Sequence, residues 1–131
     1  MVLLIDDDED DREVFEIALN EIDPEINYCT AKNGREATLK LNSEQNFQPD
    51  FIFLDLNMPQ MNGWECLDEI RKIPRLNQTP VIIYTTTFSG KDESLLLKKG
   101  ASAFVTKPDD LQILVKILSE IIVNKKLQIQ L

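Results

Sequence analysis

The fold is decided by the stretch Phe-Ile-Phe-Leu-Asp at residues 51–55, in which four apolar residues are followed at once by a carboxylate. A continuous apolar run bounded by polar residues is typical of a strand that is buried on both faces of a parallel sheet. Val2–Ile5 and Val81–Tyr84 repeat this pattern and are followed by Asp6 and Thr85. The sequence therefore predicts buried strands that end in polar side chains.

Amphipathic stretches and turn residues separate these runs and predict the remaining elements. We expect helices at about residues 10–22, 34–45 and 91–99, from Trp64 to a stop before Pro74, and from Pro108 to about Lys126. We expect an edge strand around Ile26, Tyr28 and Thr30, a loop from Leu56 to Gly63, a fifth strand at Ala103–Val105 and a helix cap at Gly100.

Five strand–helix units in 131 residues favour a parallel sheet with helices on both faces. We therefore predict an α/β fold of the flavodoxin-like, doubly wound kind. It is a (βα)5 three-layer sandwich with strand order 2-1-3-4-5. The length suits one domain, so we expect residues 1–131 to form a single domain without an output domain.

Composition excludes several classes of function. The net charge of −9 argues against nucleic-acid binding, because phosphate backbones favour clustered Lys and Arg. The sequence has no His, so the common histidine-based catalytic and metal sites are excluded. No secretory signal and no apolar run long enough for a membrane is present. We therefore expect a cytoplasmic protein, with Cys29 and Cys66 reduced.

The carboxyl ends of neighbouring parallel strands meet at one edge of a sheet, where ligands of such folds bind. We therefore expect Asp6, Asp7 and Asp55 to converge there. Three carboxylates repel each other unless positive charge is present, which Mg²⁺ and Lys107 would supply. A carboxylate can attack phosphorus to form an acyl phosphate, and the hydroxyl of Thr85 could bind the phosphoryl group.

Together these residues, in this order and at these strand ends, resemble the receiver domain of two-component response regulators. The resemblance covers essentially the whole chain and rests on Asp6-Asp7, Asp55, Met58-Pro59 with Gly63, Thr85 and Lys107-Pro108. It implies that Asp55 is the phosphoacceptor. It also implies that Asp7 binds Mg²⁺ directly, that Asp6 does so through water, and that Asn57 does so through its backbone carbonyl.

The same resemblance implies a conformational switch in which the hydroxyl of Thr85 turns toward the phosphoryl group and Phe104 turns inward. Lys107 corresponds to the family's conserved cation, and the Lys107–Pro108 bond is expected to be cis. Asn57 and Thr87 match positions that tune dephosphorylation. Apart from self-phosphorylation and slow self-dephosphorylation, no enzymatic activity is expected.

The partners follow from the same resemblance. A histidine kinase or a histidine phosphotransfer protein would donate the phosphoryl group from an external phosphohistidine. A downstream protein target would bind the face formed by the fourth helix, fifth strand and fifth helix. The run Leu95–Leu97 exceeds what one helix face buries, so this face is expected to carry exposed apolar surface. A phosphorylation-dependent homodimer is the alternative use of that face.

Several alternatives stay open at this point. A haloacid-dehalogenase-like phosphatase would use Asp6-x-Asp8, but its expected Thr or Val is replaced by Asp10 and it does not need Asp55. A degenerate receiver would signal without phosphate, although none of the key residues is missing.

Single residues also allow a second interpretation. The acidic residues 8–11 are typical of a solvated helix start, with a smaller chance that one of them contacts the site. Phe104 and Trp64 are also suited to plain core packing. Thr86 and Thr87 come next in the sequence, so the position of Thr85 could slip by one residue.

Overall fold

A computed structural model describes residues 1–44, 46–59, 61–86 and 89–127. The strands are β1 (Val2–Ile5), β2 (Tyr28–Ala31), β3 (Phe51–Leu54), β4 (Val81–Thr85) and β5 (Ala103–Thr106). The α-helices are α1 (Glu9–Ile22), α2 (Gly34–Ser43), α3 (Gly63–Arg71), α4 (Gly90–Lys98) and α5 (Leu111–Ile122), and a short 3-10 helix spans Pro74–Leu76.

The strands form one parallel sheet in the order β2-β1-β3-β4-β5, which confirms the predicted fold and strand order. In the register, Ile5 at the end of β1 lies opposite both Ala31 in β2 and Leu54 in β3. Thr85 in β4 likewise lies opposite Thr106 in β5. The residues that follow these positions are therefore brought to one edge of the sheet.

Both faces of the sheet are covered, which explains the continuous apolar runs. Side chains on alternate strand positions point to opposite faces. Leu3, Ile5, Ile52 and Leu54 belong to a core that also contains residues of α2, α3 and α4. A second core on the other face combines residues of the strands with residues of α1 and α5. The three layers are therefore helices, sheet and helices.

The differences from the predicted boundaries are small and lie at element ends. Helix α5 ends at Ile122 rather than near Lys126, and Ile26 precedes β2. The expected second helix ended at Gln45, which lies outside the described residues; α2 ends at Ser43. The 3-10 helix was not predicted, because Pro74 was interpreted as a stop although proline also suits the first position of a helix.

The helix termini show the local reasons for these boundaries. Helix α1 begins where the side chain of Asp8 accepts a hydrogen bond from the Asp11 N–H at 3.0 Å. Helix α3 begins with a reciprocal pair of hydrogen bonds between Asn62 and Glu65. Gly100 follows α4 with φ of +105°, which confirms its predicted role as a cap.

The Lys107–Pro108 bond is not cis; between residues 1 and 127, outside the three short gaps, no peptide bond is cis. The expectation that came from the resemblance was therefore wrong. A trans bond is the lower-energy isomer before proline by about 0.5–1 kcal/mol. In this arrangement the Lys107 N–H donates a hydrogen bond to the Thr85 carbonyl at 2.8 Å.

All described elements belong to this one sheet and its two helical layers. The absence of an output domain stays a prediction. Among the described residues, none of the helices combines the length and the apolar character that crossing a membrane requires.

Candidate functional site

Backbone hydrogen bonds fix the residues that follow the strands. The Asp6 N–H donates to the Ala31 carbonyl at 3.1 Å, and the Asp55 N–H donates to the Ile5 carbonyl at 3.0 Å. These bonds continue the strand ladders by one residue beyond β1 and β3. The backbones of Asp6 and Asp55 are therefore held side by side at the carboxyl edge of the sheet.

Three carboxylates converge at this edge, as the sequence predicted. Asp6, Asp7 and Asp55 each offer one oxygen, and these oxygens lie within 4.8 Å of one another. Asp6 and Asp55 are buried, whereas Asp7 is exposed. Carboxylate oxygens are hard donors of the kind that Mg²⁺ and other hard divalent cations prefer. This donor set fits such a metal.

Lys107 lies against the same cluster from the end of β5. Its ammonium nitrogen lies 2.8 Å from Asp6 Oδ2, 2.8 Å from Asp11 Oδ2 and 3.4 Å from Asp55 Oδ2. It also lies 5.4 Å from the ring centroid of Tyr84. With 9% of its side chain exposed, Lys107 is a nearly buried cation that contacts three carboxylates and an aromatic ring.

The pKa values reflect this arrangement. Burial raises the pKa of Asp6 to about 6, and the hydrogen bond from Lys107 opposes the rise. Burial lowers the pKa of Lys107, but hydrogen bonds to Asp11 and Asp6 outweigh that effect and raise it above its ordinary value. Lys107 is therefore firmly protonated at neutral pH, and its charge helps to keep Asp6 ionised.

Asp11 departs from the main expectation for the acidic stretch. Asp8 caps the helix and Asp10 is exposed, which agrees with the expected helix start. Asp11, however, contacts Lys107, which is the less favoured of the two interpretations given above. The position of Asp11 in the first turn of α1 could have predicted this contact. Helical side chains tilt toward the helix N-terminus, and here that direction leads toward the end of β1.

The loop after β3 packs tightly around Asp55. The Asn57 N–H donates a hydrogen bond to Asp55 Oδ1 at 3.3 Å, and the Gly63 N–H donates one to the Leu56 carbonyl at 3.0 Å. A Cβ atom on Gly63 would lie 2.4 Å from the Asp55 carbonyl oxygen. Glycine is therefore needed where α3 begins against the backbone of Asp55.

Thr85 is fully buried, and its Oγ1 has no hydrogen-bond partner in the part of the chain that the structure describes. Burying a hydroxyl without a partner costs roughly 1–3 kcal/mol, so such a group suggests a ligand. Thr85 also ends β4, so the strand does not slip to Thr86. Thr87 lies outside the described residues.

The two aromatic residues with open roles pack against the core. Trp64 at the start of α3 and Phe104 in β5 are partly buried, and both contact the core that contains Leu3 and Ile5. This agrees with the packing role expected for Trp64. For Phe104, partial burial at a strand position fits packing and a switch equally well, so its switch role stays a prediction.

A family model described as the response regulator receiver domain matches residues 2–119. The chain belongs to this family. Its function is that of a receiver, a phosphoacceptor in signal transduction. This assignment favours the predicted receiver over the haloacid-dehalogenase-like alternative.

Relatives of known sequence include proteins of different kinds. The receiver is 46% identical over 82 residues to a protein-glutamate methylesterase/protein-glutamine glutaminase of Archaeoglobus fulgidus, covering 61% of the chain and 22% of that protein. It is 31% identical over 108 residues to the sensor histidine kinase CheAY of Helicobacter pylori, covering 82% of the chain and 13% of that protein. The receiver thus spans a minor part of both relatives.

Solved structures with the same architecture include two receivers. The phosphorylated cyanobacterial phytochrome response regulator RcpA is 28% identical, with a TM-score of 0.84 over 95% of this chain and 94% of that one. The chemotaxis protein CheY4 of Vibrio cholerae is 30% identical, with a TM-score of 0.79 over 92% of this chain and 97% of that one. Both likenesses extend over nearly the whole receiver.

Proposed function

We propose that Asp55 is the residue of this receiver that accepts the phosphoryl group. One observation carries the proposal: Asp55 belongs both to the cluster of three carboxylates and to the set of groups around Lys107. It is also buried at the end of the central strand β3, where water has limited access. Asp7 is exposed, and Asp6 is held between Lys107 and the Asp8 N–H, so Asp55 is best suited to attack.

The reaction is a transfer from an external phosphohistidine. A carboxylate oxygen of Asp55 forms a bond to phosphorus while the P–N bond of the donor breaks, and the donor imidazole leaves with the electron pair. Lys107 would pair with the phosphoryl oxygens, and the Thr85 hydroxyl would donate a hydrogen bond to one of them. The product is an aspartyl phosphate, in which the buried hydroxyl of Thr85 would be hydrogen-bonded to a phosphoryl oxygen.

The fit of the oxygen donors supports Mg²⁺ as the cofactor. Asp7 and Asp55 would bind it directly, Asn57 through its backbone carbonyl, and Asp6 through water. When bound, Mg²⁺ would neutralise negative charge on the transferred group. No further enzymatic activity is proposed beyond self-phosphorylation from small donors and slow self-dephosphorylation, which Asn57 and Thr87 would tune.

The partners are a histidine kinase or histidine phosphotransfer protein as donor and a protein target for output. Leu95 and Leu97 on α4 are 42% and 52% exposed, which supports an apolar binding face formed by α4, β5 and α5. We propose that Thr85 and Phe104 couple phosphorylation to the shape of this face. A homodimer through the same face is the alternative.

The test is incubation with acetyl phosphate and Mg²⁺, followed by intact mass. We expect the wild type to gain one phosphoryl group, Asp55→Asn to gain none, and the control Asp109→Asn to behave as wild type, since Asp109 is exposed beyond β5. Equal labelling of Asp55→Asn and wild type, or no labelling of wild type, would overturn the proposal.

A further inference from the structure

Lys107 does not make its shortest contacts with the proposed phosphoacceptor. Its ammonium nitrogen lies 2.8 Å from Asp6 and from Asp11, but 3.4 Å from Asp55. An ammonium group has three protons to donate. In the unphosphorylated receiver, its short hydrogen bond goes to Asp11, a longer one at 3.4 Å goes to Asp55, and Asp6 is held as an ion pair at 2.8 Å.

The two short contacts differ in how easily they can be released. The side chain of Asp6 is 0% exposed, so removing Lys107 would leave a buried carboxylate without its cation. The side chain of Asp11 is 38% exposed, so its carboxylate can be solvated when the contact breaks. Of the two, Asp11 is the partner that Lys107 can give up at low cost.

Local structure keeps Asp11 in place for this contact. Its N–H donates to the capping side chain of Asp8, which fixes the first turn of α1. The contact with Lys107 then joins α1 to the end of β5, across 96 positions of sequence. Asp11 is therefore held beside the site by the helix start and not by a flexible loop.

We propose that Asp11 is a positioning residue that restrains Lys107 in the unphosphorylated receiver and is exchanged for a phosphoryl oxygen when Asp55 is phosphorylated. The inference rests on the roles proposed above for Asp55 and Lys107. Asp11 slows phosphorylation in two ways. It draws the cation toward α1, and its negative charge repels the incoming phosphoryl group. It does not bind the metal.

The test compares three variants in phosphorylation by acetyl phosphate with Mg²⁺, a reaction in which the Asp55 oxygen bonds to phosphorus and acetate leaves with the electron pair. Asp11→Asn removes the charge at nearly the same size. Asp10→Asn removes the same charge from an exposed neighbour in the same turn and serves as the control. Asp11→Glu keeps the charge.

We expect Asp11→Asn to be phosphorylated about three- to tenfold faster than Asp10→Asn. This is the effect on the rate that we expect from removing one nearby charge at a partly solvated site. Asp11→Glu should stay slower than Asp11→Asn. A second readout is Mn²⁺ affinity measured by titration without any phosphodonor. It should change by less than about threefold in Asp11→Asn, whereas loss of a ligand should cost more than the roughly ten- to hundredfold that is typical of losing an outer-shell partner.

The outcomes separate the two proposals. If wild type gains no phosphate at Asp55, the function proposed for Asp55 fails and this inference fails with it. If wild type is phosphorylated but Asp11→Asn matches Asp10→Asn, only this inference is overturned. It is also overturned if Asp11→Glu is as fast as Asp11→Asn, or if Asp11→Asn binds Mn²⁺ as weakly as Asp7→Asn.

Discussion

Lys107 offsets part of the negative charge of the site. It is a nearly buried ammonium group that contacts Asp6, Asp11 and Asp55. Breaking a buried ion pair by removing one partner costs roughly 3–5 kcal/mol, because the other charge stays behind unpaired. Here Asp11 can be solvated and Asp6 already has a raised pKa, so part of that cost is avoidable.

We therefore predict that Lys107→Met lowers the free energy of unfolding by about 1–3 kcal/mol, measured by urea denaturation without divalent metal. Mg²⁺ should recover part of this loss, since it restores positive charge beside the carboxylates. The control is Lys99→Met, which removes a partly exposed ion pair with Asp68 at 2.9 Å and should cost no more than about 1 kcal/mol. Equal losses in the two variants would contradict the prediction.

Residue chemistry explains which parts of the site could be predicted. Asp6, Asp55 and Thr85 each follow an apolar run, and Lys107 follows the fifth strand, so the fold brings them to one edge. The contact of Asp11 was harder to foresee, because acidic residues in a first turn are also stabilised by the helix dipole alone. Sequence cannot distinguish these two reasons without the direction of the side chain.

Among the elements, α3 depends on a close backbone approach. A Cβ on Gly63 would lie 2.4 Å from the Asp55 carbonyl oxygen and 2.6 Å from Leu56 Cα. Both are backbone atoms, so a change of side-chain rotamer cannot relieve the clash. Gly90, the first residue of α4, has no atom within 4 Å of the same position. The two glycines thus provide a matched pair for substitution.

We predict that Gly63→Ala lowers the free energy of unfolding by about 1–3 kcal/mol, the usual range for overpacking, and weakens Mn²⁺ binding because the loop after Asp55 must shift. Gly90→Ala should leave stability unchanged or raise it by up to about 1 kcal/mol. Urea denaturation and metal titration of both variants measure these effects. A Gly63→Ala receiver as stable as Gly90→Ala would show that the start of α3 moves away without cost.

Element by element, the apolar runs were the most reliable signal. Val2–Ile5, Phe51–Leu54 and the fourth strand were predicted within one residue, because a strand covered on both faces has no polar positions. The ends of α2 and α5 and the short helix at Pro74–Leu76 were less well predicted. Their boundaries depend on tertiary contacts, such as the hydrogen bond from Arg71 to the Leu76 carbonyl at 2.8 Å.

For the whole molecule, burial raises the pKa values of several groups that titrate in alkali. Burial raises the pKa of the Cys66 thiol to about 12 and also raises that of the Cys29 thiol. It also raises the pKa of the Tyr28 and Tyr84 hydroxyls. A raised pKa in the folded state stabilises the fold below the unfolded pKa, and this stability is lost as pH rises toward the folded pKa.

We predict that the free energy of unfolding falls as pH rises above about 8.5, where thiols of the unfolded chain begin to lose their protons. Cys66 alone should account for about 1–2 kcal/mol between about pH 8 and about pH 10. Urea denaturation across this range measures the slope. Cys66→Ala should show a shallower decline than wild type, whatever its stability at pH 7; parallel declines would contradict the assignment.

The topology as a whole followed from the sequence, since five alternating strand–helix units leave few parallel arrangements. The isomer of the Lys107–Pro108 bond did not follow, because it was taken from the family and not from the local residues. The phosphorylation roles and the cofactor depend on chemistry beyond the fold, which the labelling and metal-titration experiments address.

The order of the site residues along the chain has a consequence for synthesis. Asp6, Asp7 and Asp55 are synthesised before Lys107, which follows β5 and reaches back across 52 positions to Asp55. A nascent chain that lacks β5 thus gathers acidic charge without its counter-charge. Synthesis of β5 and Lys107 then brings electrostatic attraction as well as apolar burial, and both favour closure of the sheet.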